Sequence, residues 1–363
     1  MLDIEPLSES RTDRAPRPRV PNDLRIEVKR TEGPVIASVA RVLKHEDYTV
    51  GWICALAREM AAAKAMLEPV SCQSASQGAR QQHLPTGQHR LTQRRHRLSP
   101  VRVTGTTSAA TVAAQMLANF SSILFDLMVW VGGGIPSETV DIRLGNVVMS
   151  KPLKEFGGVI QYRSGKMVEE GRLDQHPEQA APGPSDCRQA GHMADGNKLP
   201  DILARMEEMY PNMKLEFAHR GTEKDRLFRV DYDRVGGHPT CDLCDVDNVV
   251  PRPIRHHTHL IIHYSLIASD NVMMRYGTSQ DVLLAQELGV ICVEIEAVGL
   301  MDSFPCLIIR GICDYVDSYK NKMWQPYAAA MAAAYARELL NVITGRKVVG
   351  MQKAAEATQE GGE

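Results

Sequence analysis

Four acidic residues, Glu59, Glu294, Glu296 and Asp314, stand where an α/β sheet could use them chemically. Asp314 follows an apolar run from Cys306 to Cys313 and precedes Tyr315. A carboxyl partly desolvated in this way has a raised pKa and can donate a proton near neutral pH. Glu294 and Glu296 flank Ile295, so in a strand both point to one side, where sugar hydroxyls would be suitable donors. Glu59 comes just after the apolar run from Tyr48 to Leu56 and could orient an attacking water. Paired carboxylates suit a reaction through an oxocarbenium-like transition state, with one acid protonating the leaving group and another handling the water. Gly132, Gly133 and Gly134 could let backbone approach a ligand closely. Each position also has a plainer reading. Asp314 fits a turn or helix-capping aspartate, Glu59 a first-turn helix glutamate, and the Glu294–Glu296 pair a solvated edge strand.

A second constellation points to metal. Cys241 and Cys244 have metal-ligand spacing, with His238 before them and His256, His257, His259 and His263 after. Two cysteines and two of these histidines would make a closed, structural zinc site; a solvated polar loop accounts for the same residues.

The elements that must position these groups alternate between apolar strands and helices. Strands are expected over 48–56, 124–131, 145–150, 261–269, 290–295 and 306–313. Helices are expected over 58–67, 107–120, 297–303 and 327–343, the last with the alanine content that favours a helix. Strands apolar on both faces predict a mainly parallel sheet covered on both sides, a three-layer α/β/α fold with a mixed central sheet. In such sheets a ligand sits beyond the carboxyl ends of the strands, where Glu59, the glycine triplet, Glu294 and Asp314 fall.

The chain has 363 residues and a net charge of -2, which argues against bulk attraction to nucleic acid or anionic lipid. Residues 1–45 read as a disordered leader, 46–345 as one domain and 346–363 as a disordered tail. No apolar stretch approaches the ~20 residues needed to span a bilayer. Four of the eight cysteines (Cys54, Cys292, Cys306, Cys313) lie in apolar runs and read as core thiols, which points to a reducing, cytoplasmic setting. Two stretches carry no period. Residues 70–103 lack any acidic residue or lysine, and 174–194 are rich in Pro, Gln and Ala. Pattern returns abruptly at Thr104-Gly105 and near Gly196-Asn197, as a compensated frame shift would produce, and predicts weak activity and poor solubility.

Five segments together resemble the purine nucleoside phosphorylase and uridine phosphorylase superfamily: Tyr48–Leu56, Gly105–Ala110, Asp141–Gly145, Val293–Ala297 and Ile309–Tyr315. The likeness is to its fungal branch, often found at the N-terminus of NOD-like receptors, and to the methylthioadenosine/S-adenosylhomocysteine nucleosidases. It implies a nucleoside phosphorylase-like fold and cleavage of the N-glycosidic bond of a purine or 5′-thio-substituted purine nucleoside. It implies Glu59 as the water-activating acid, Asp314 as the acid facing N7 of the base, and Glu296 as the ribose ligand. Ile295 would pack on sugar or base, with Glu294, Gly132, Gly133 and Thr107 in the substrate-binding set. No cofactor and a homo-oligomer are also implied. The family's phosphorylases carry an arginine near the start of the first helix, whereas here Glu59 follows and Arg58 would point elsewhere, so hydrolysis is expected over phosphorolysis. A phosphorylase, or a weakly catalytic nucleoside-sensing module, remains the alternative. Trp130 stands where the family has glycine and predicts a ring crowding the glycine loop.

Overall fold

Runs of three to ten residues, most of them apolar, become the strands of one mixed sheet, and it is held together around β3. The structure, a computed structural model, describes residues 45, 48–67, 97–100, 106–153, 157–161, 196–229, 231–232, 244–254, 260–269, 287–295, 297, 306–316 and 322–343. They belong to a unit covering Leu43–Glu363; the other unit, Met1–Val42, lies outside them. The strands are β1 (Val50–Cys54), β2 (Arg97–Pro100), β3 (Phe125–Gly134), β4 (Val147–Ser150), β5 (Val159–Gln161), β6 (Ile262–Ser269), β7 (Val290–Glu294) and β8 (Cys306–Tyr315). The helices are α1 (Ala57–Leu67), α2 (Thr106–Asn119), α3 (Leu199–Met209), α4 (Pro211–Phe217) and α5 (Gln325–Val342).

The expected mixed, mainly parallel sheet is present: β7 runs antiparallel to β3 and β4 antiparallel to β8, while the other described pairings are parallel. It also closes, which sequence reading did not foresee. β3 pairs with β8, β8 with β4, β4 with β6, β6 with β7 and β7 with β3, so five strands form a ring. β1 and β2 extend outward from β3, and β5 from β6. Closure removes exposed strand edges, and it depends on tertiary pairing that no local pattern encodes.

Helix α5 lies directly against this ring. Its alanines keep its surface thin, and a Cβ on Gly311 of β8 would meet the Ala328 carbonyl oxygen at 2.0 Å. That contact fixes the sides of β8: Gly311 faces α5, so Arg310 and Ile312 face the ring's interior. Among the described residues no helix is long and apolar enough to cross a membrane. Of the patternless 70–103 stretch, Arg97–Pro100 forms β2 and pairs in parallel with Gly51–Cys54, so backbone pairing supplies a strand where side-chain pattern gave none. Residues 68–96, 101–105 and 162–195 lie outside the described residues, as do the expected leader and tail apart from His45.

Candidate functional site

The site arises from the way β3 divides one of its edges. Along one edge β3 pairs with β8 from Asp126 to Gly134. On the other, β1 pairs with Phe125–Met128 and β7 with Gly133 and Gly134. Between them the edge around Trp130 and Val131 has no strand partner among the described residues, because β1 turns into α1 and β7 arrives from the opposite direction. A gap where neighbouring strands diverge is where α/β sheets place ligands.

Glu59 fills the gap. Leu56 accepts the Met60 N–H at 3.1 Å and so stands at the N-cap of α1, which puts Glu59 at the third helical position. From there its Oε2 accepts the N–H groups of Leu56 at 2.8 Å and Ala55 at 3.0 Å, the acid half of a capping box. Its Oε1 accepts the Val131 N–H at 3.1 Å, meeting the need of the edge that no strand covers. The helix-capping and site readings of Glu59 therefore describe one geometry. Burial raises the Glu59 pKa, outweighing the three backbone N–H groups and the attraction of Arg310, which lower it. Oε1 takes one N–H here and retains a lone pair for a water or hydroxyl.

Asp314 approaches β3 from the β8 side. The register passes from Gly132 opposite Ile312 to Gly133 opposite Asp314, leaving Cys313 as the extra residue of a bulge. A bulge re-aims the side chains that follow it, and Asp314 is turned to Gly133. A Cβ on Gly133 would stand 3.1 Å from Asp314 Oδ1, and one on Gly132 would press on Cys292 Sγ at 2.8 Å. The Cys313 thiol donates to Asp314 Oδ2 at 3.0 Å. The Glu59 and Asp314 carboxyl groups thus meet the same strand two residues apart, roughly 7 Å along it.

Glu294 takes another course. β7 ends at Glu294, so strand alternation does not extend to Glu296. Both oxygens of Glu294 accept the Ala297 N–H, at 2.9 and 3.0 Å, and Oε2 pairs with Arg310 Nη2 at 2.7 Å inside the ring. Arg310 is fully buried, also donates to the Met128 carbonyl at 3.0 Å, and lies 5.0 Å from the Trp130 ring. Trp130 is therefore turned inward, with its Nε1 donating to the Ile53 carbonyl at 2.8 Å; it packs on Arg310 instead of crowding the loop. Ile295 is half-buried beside this turn. Glu296 lies outside the described residues, as does the Thr107 side chain, although Thr107 itself is in the first turn of α2.

Arg310, the packing of Trp130 on it and the second cluster described next were missed by sequence reasoning. A signal existed for the pair: one charged residue inside each of two apolar strands, Arg310 and Glu294, of opposite sign. The second cluster follows Asp314. Arg252 donates to the Tyr315 hydroxyl at 2.7 Å, to Asp141 at 2.8 Å and to the Ile142 carbonyl at 2.6 Å. The Tyr315 hydroxyl donates to Asp225, and Arg143 reaches Asp141 at 2.7 Å. Burial works to raise the Asp141 pKa, but hydrogen bonds from Arg143 and Arg252 prevail and lower it. This cluster anchors the segment after Asp314 to the Asp141–Gly145 loop. Arg58 points outward, half-exposed and paired with Glu216 at 3.0 Å.

Of the expected zinc ligands, Cys241, His238, His256, His257 and His259 lie outside the described residues. Cys244 is a half-buried free thiol, and His263 Nε2 lies 3.2 Å from Asn146 Oδ1, its pKa lowered by burial. Among the described residues no three or more His, Cys, Asp or Glu side chains are grouped to hold a metal. Cys54, Cys292, Cys306 and Cys313 are buried and stand outside any disulfide among the described residues.

No family model matches the chain. It is 36% identical, over 311 residues and 83% of its length, to a nucleotide-binding leucine-rich repeat (NLR)-like protein of Hyaloscypha variabilis, and spans 30% of that relative's length. Among solved structures, it is similar to the futalosine hydrolase of Helicobacter pylori, with a TM-score of 0.46 and 12% identity, covering 82% of this chain and 98% of that one. It is likewise similar to the 5′-methylthioadenosine/S-adenosylhomocysteine nucleosidase of Neisseria meningitidis, with a TM-score of 0.46 and 16% identity over 81% of this chain and 98% of that one.

Proposed function

We propose that this chain carries a nucleoside phosphorylase-like three-layer domain that hydrolyses the N-glycosidic bond of a purine or 5′-thio-substituted purine nucleoside. The observation that carries this reading is that Glu59 and Asp314 reach β3 two residues apart, Glu59 at Val131 in the gap between β1 and β7 and Asp314 at Gly133 from the β8 side. Asp314 donates a proton to N7 of the departing base. Glu59, its proton affinity raised by burial, orients the water through the free lone pair of Oε1. Gly132, Gly133, Thr107, Ile295 and Glu296 contact the nucleoside, with Glu296 on the ribose. Glu294, committed to Arg310 and Ala297, supports the end of β7 beside Ile295. Hydrolysis is preferred to phosphorolysis because Arg58 is engaged with Glu216 and Arg310 with Glu294, which leaves neither arginine aimed at a phosphate in the gap. The reaction needs no cofactor. A cytoplasmic homo-oligomer acting on a small molecule, with no nucleic acid or membrane partner, completes the proposal.

A second reading has a specific observation behind it. The likeness to an NLR-like protein of which this chain spans 30% favours a nucleoside- or nucleotide-sensing module within a longer architecture. Release of free adenine, guanine or hypoxanthine, measured with and without phosphate, separates the readings. Phosphate-independent release is the expected result, and strict phosphate dependence replaces hydrolysis with phosphorolysis. Saturable nucleoside binding without any base release selects the sensor.

A further inference from the structure

Arg310 is a cation set inside the ring, and its contacts run toward both sides of the candidate site. On one side it pairs with Glu294 at 2.7 Å, and Glu294 in turn holds the Ala297 N–H, closing the turn that contains Ile295. On the other side it stacks on Trp130 at 5.0 Å. The Trp130 indole is bonded to the Ile53 carbonyl near the end of β1, and the next residue, Val131, donates to Glu59. Resting on the nucleoside-cleaving reading of this site, we propose that Arg310 is a positioning residue that joins the Glu59 carboxyl to the end of β7, where Glu294 holds the Ala297 N–H, through Trp130 and Glu294.

The electrostatics agree with this geometry. Among the described residues, two ionisable groups face Glu59 from the elements around it, Cys54 on β1 and Arg310 on β8. Burial raises the Cys54 pKa and keeps that thiol neutral, so Arg310 supplies the charge that favours the Glu59 carboxylate. Glu294 competes for the same cation at closer range. Glu59 should therefore respond in opposite directions to loss of the cation and loss of its competitor, which a purely space-filling role for Arg310 does not predict.

The test follows the infrared carboxyl band of Glu59, assigned as the band lost in Glu59→Gln, as a function of pH. Arg310→Met alone would strand Glu294 in the interior, so the variant used is Arg310→Met with Glu294→Leu. Its Glu59 midpoint should lie roughly one pH unit above that of Glu294→Leu alone, which keeps the cation, because an opposite charge nearby favours ionisation by about that much. Glu294→Gln, which leaves Arg310 to Glu59, should lower the midpoint. Where the wild type releases base, the double variant should lose at least roughly tenfold in kcat, with the acid limb of its pH profile moved in step with the band. Midpoints unmoved in both variants overturn the proposal, whether or not base is released. Opposite shifts in a protein that releases no base retain the positioning role and remove the nucleosidase reading. Should the double variant fail to fold, the Glu294→Gln shift alone decides.

Discussion

The two ends of β3 treat buried charge in opposite ways. At the carboxyl end, around Val131 and Gly133, Glu59 accepts three backbone N–H groups, Glu294 pairs with Arg310, and Asp314 takes the Cys313 thiol. At the amino end, Asp126 is fully buried, and neither carboxyl oxygen has a hydrogen-bond partner. A Cβ on Gly51 would lie 1.8 Å from its Oδ1, so the glycine makes room for the group without offering it a donor. The Cys306 thiol across β8 and Met116 on α2 bring no compensating charge. Burial alone pushes the Asp126 pKa up to about 7. The contrast separates charge that is engaged in an arrangement, and so can be held at a chosen spot, from charge that the fold merely tolerates by keeping it protonated.

The largest expected effect lies at the engaged end. Asp314→Asn keeps the shape of the side chain but removes the donated proton, and base release should fall by 10²–10⁴-fold, a typical general-acid contribution. Circular dichroism should show the fold unchanged. Release that survives the substitution would reduce Asp314 to an ordinary bulge residue.

The tolerated end should appear in stability. An unfolded carboxyl titrates near 3.8 and the buried Asp126 near 7, so the folded state binds more protons between these values and stability falls as pH rises through that window. Between pH 5 and pH 8 the Asp126 contribution should fall by about 3 kcal/mol, and Asp126→Asn should abolish that part of the slope. Urea unfolding of both proteins at the two pH values measures it. Parallel pH dependences would mean that Asp126 has a partner in solution, and the comparison would break.

A smaller effect tests the double duty of Glu59. Glu59→Ala removes the capping acid of α1 and should cost roughly 0.5–2 kcal/mol, with base release lost as well. Glu59→Gln keeps an acceptor oxygen for the N–H groups of Ala55 and Leu56 but turns its amide nitrogen toward the Val131 N–H, so it should recover the capping part of the stability and none of the activity. Equal recovery of both would make Glu59 a cap and nothing more. Last comes the surface pair: Arg58→Ala should change stability by no more than ~1 kcal/mol and leave base release intact, since its partner Glu216 is also exposed.

The sequence by itself determined the elements and the neighbourhood of the site. Segments such as Val50–Cys54 and residues 306–309 are apolar throughout, and a run that must be buried on both faces can be read residue by residue. The acids at their ends were legible for the same reason, because a charge at the edge of an apolar run stands out locally. Other features were decided only by tertiary structure. Closure of five strands into a ring, the edge of β3 shared between β1 and β7, and the bulge that turns Asp314 toward Gly133 all depend on which strands pair and in what register. The sequence placed Glu294 and Glu296 side by side by strand alternation, whereas β7 stops at Glu294, and an arginine sixteen residues away claims its carboxylate. Trp130 looked like an obstruction until pairing showed which way its ring turns. Hydrophobic pattern reports whether a residue is buried, because burial is a property of one side chain; what a buried charge meets is a property of two distant segments, and only the folded chain brings them together.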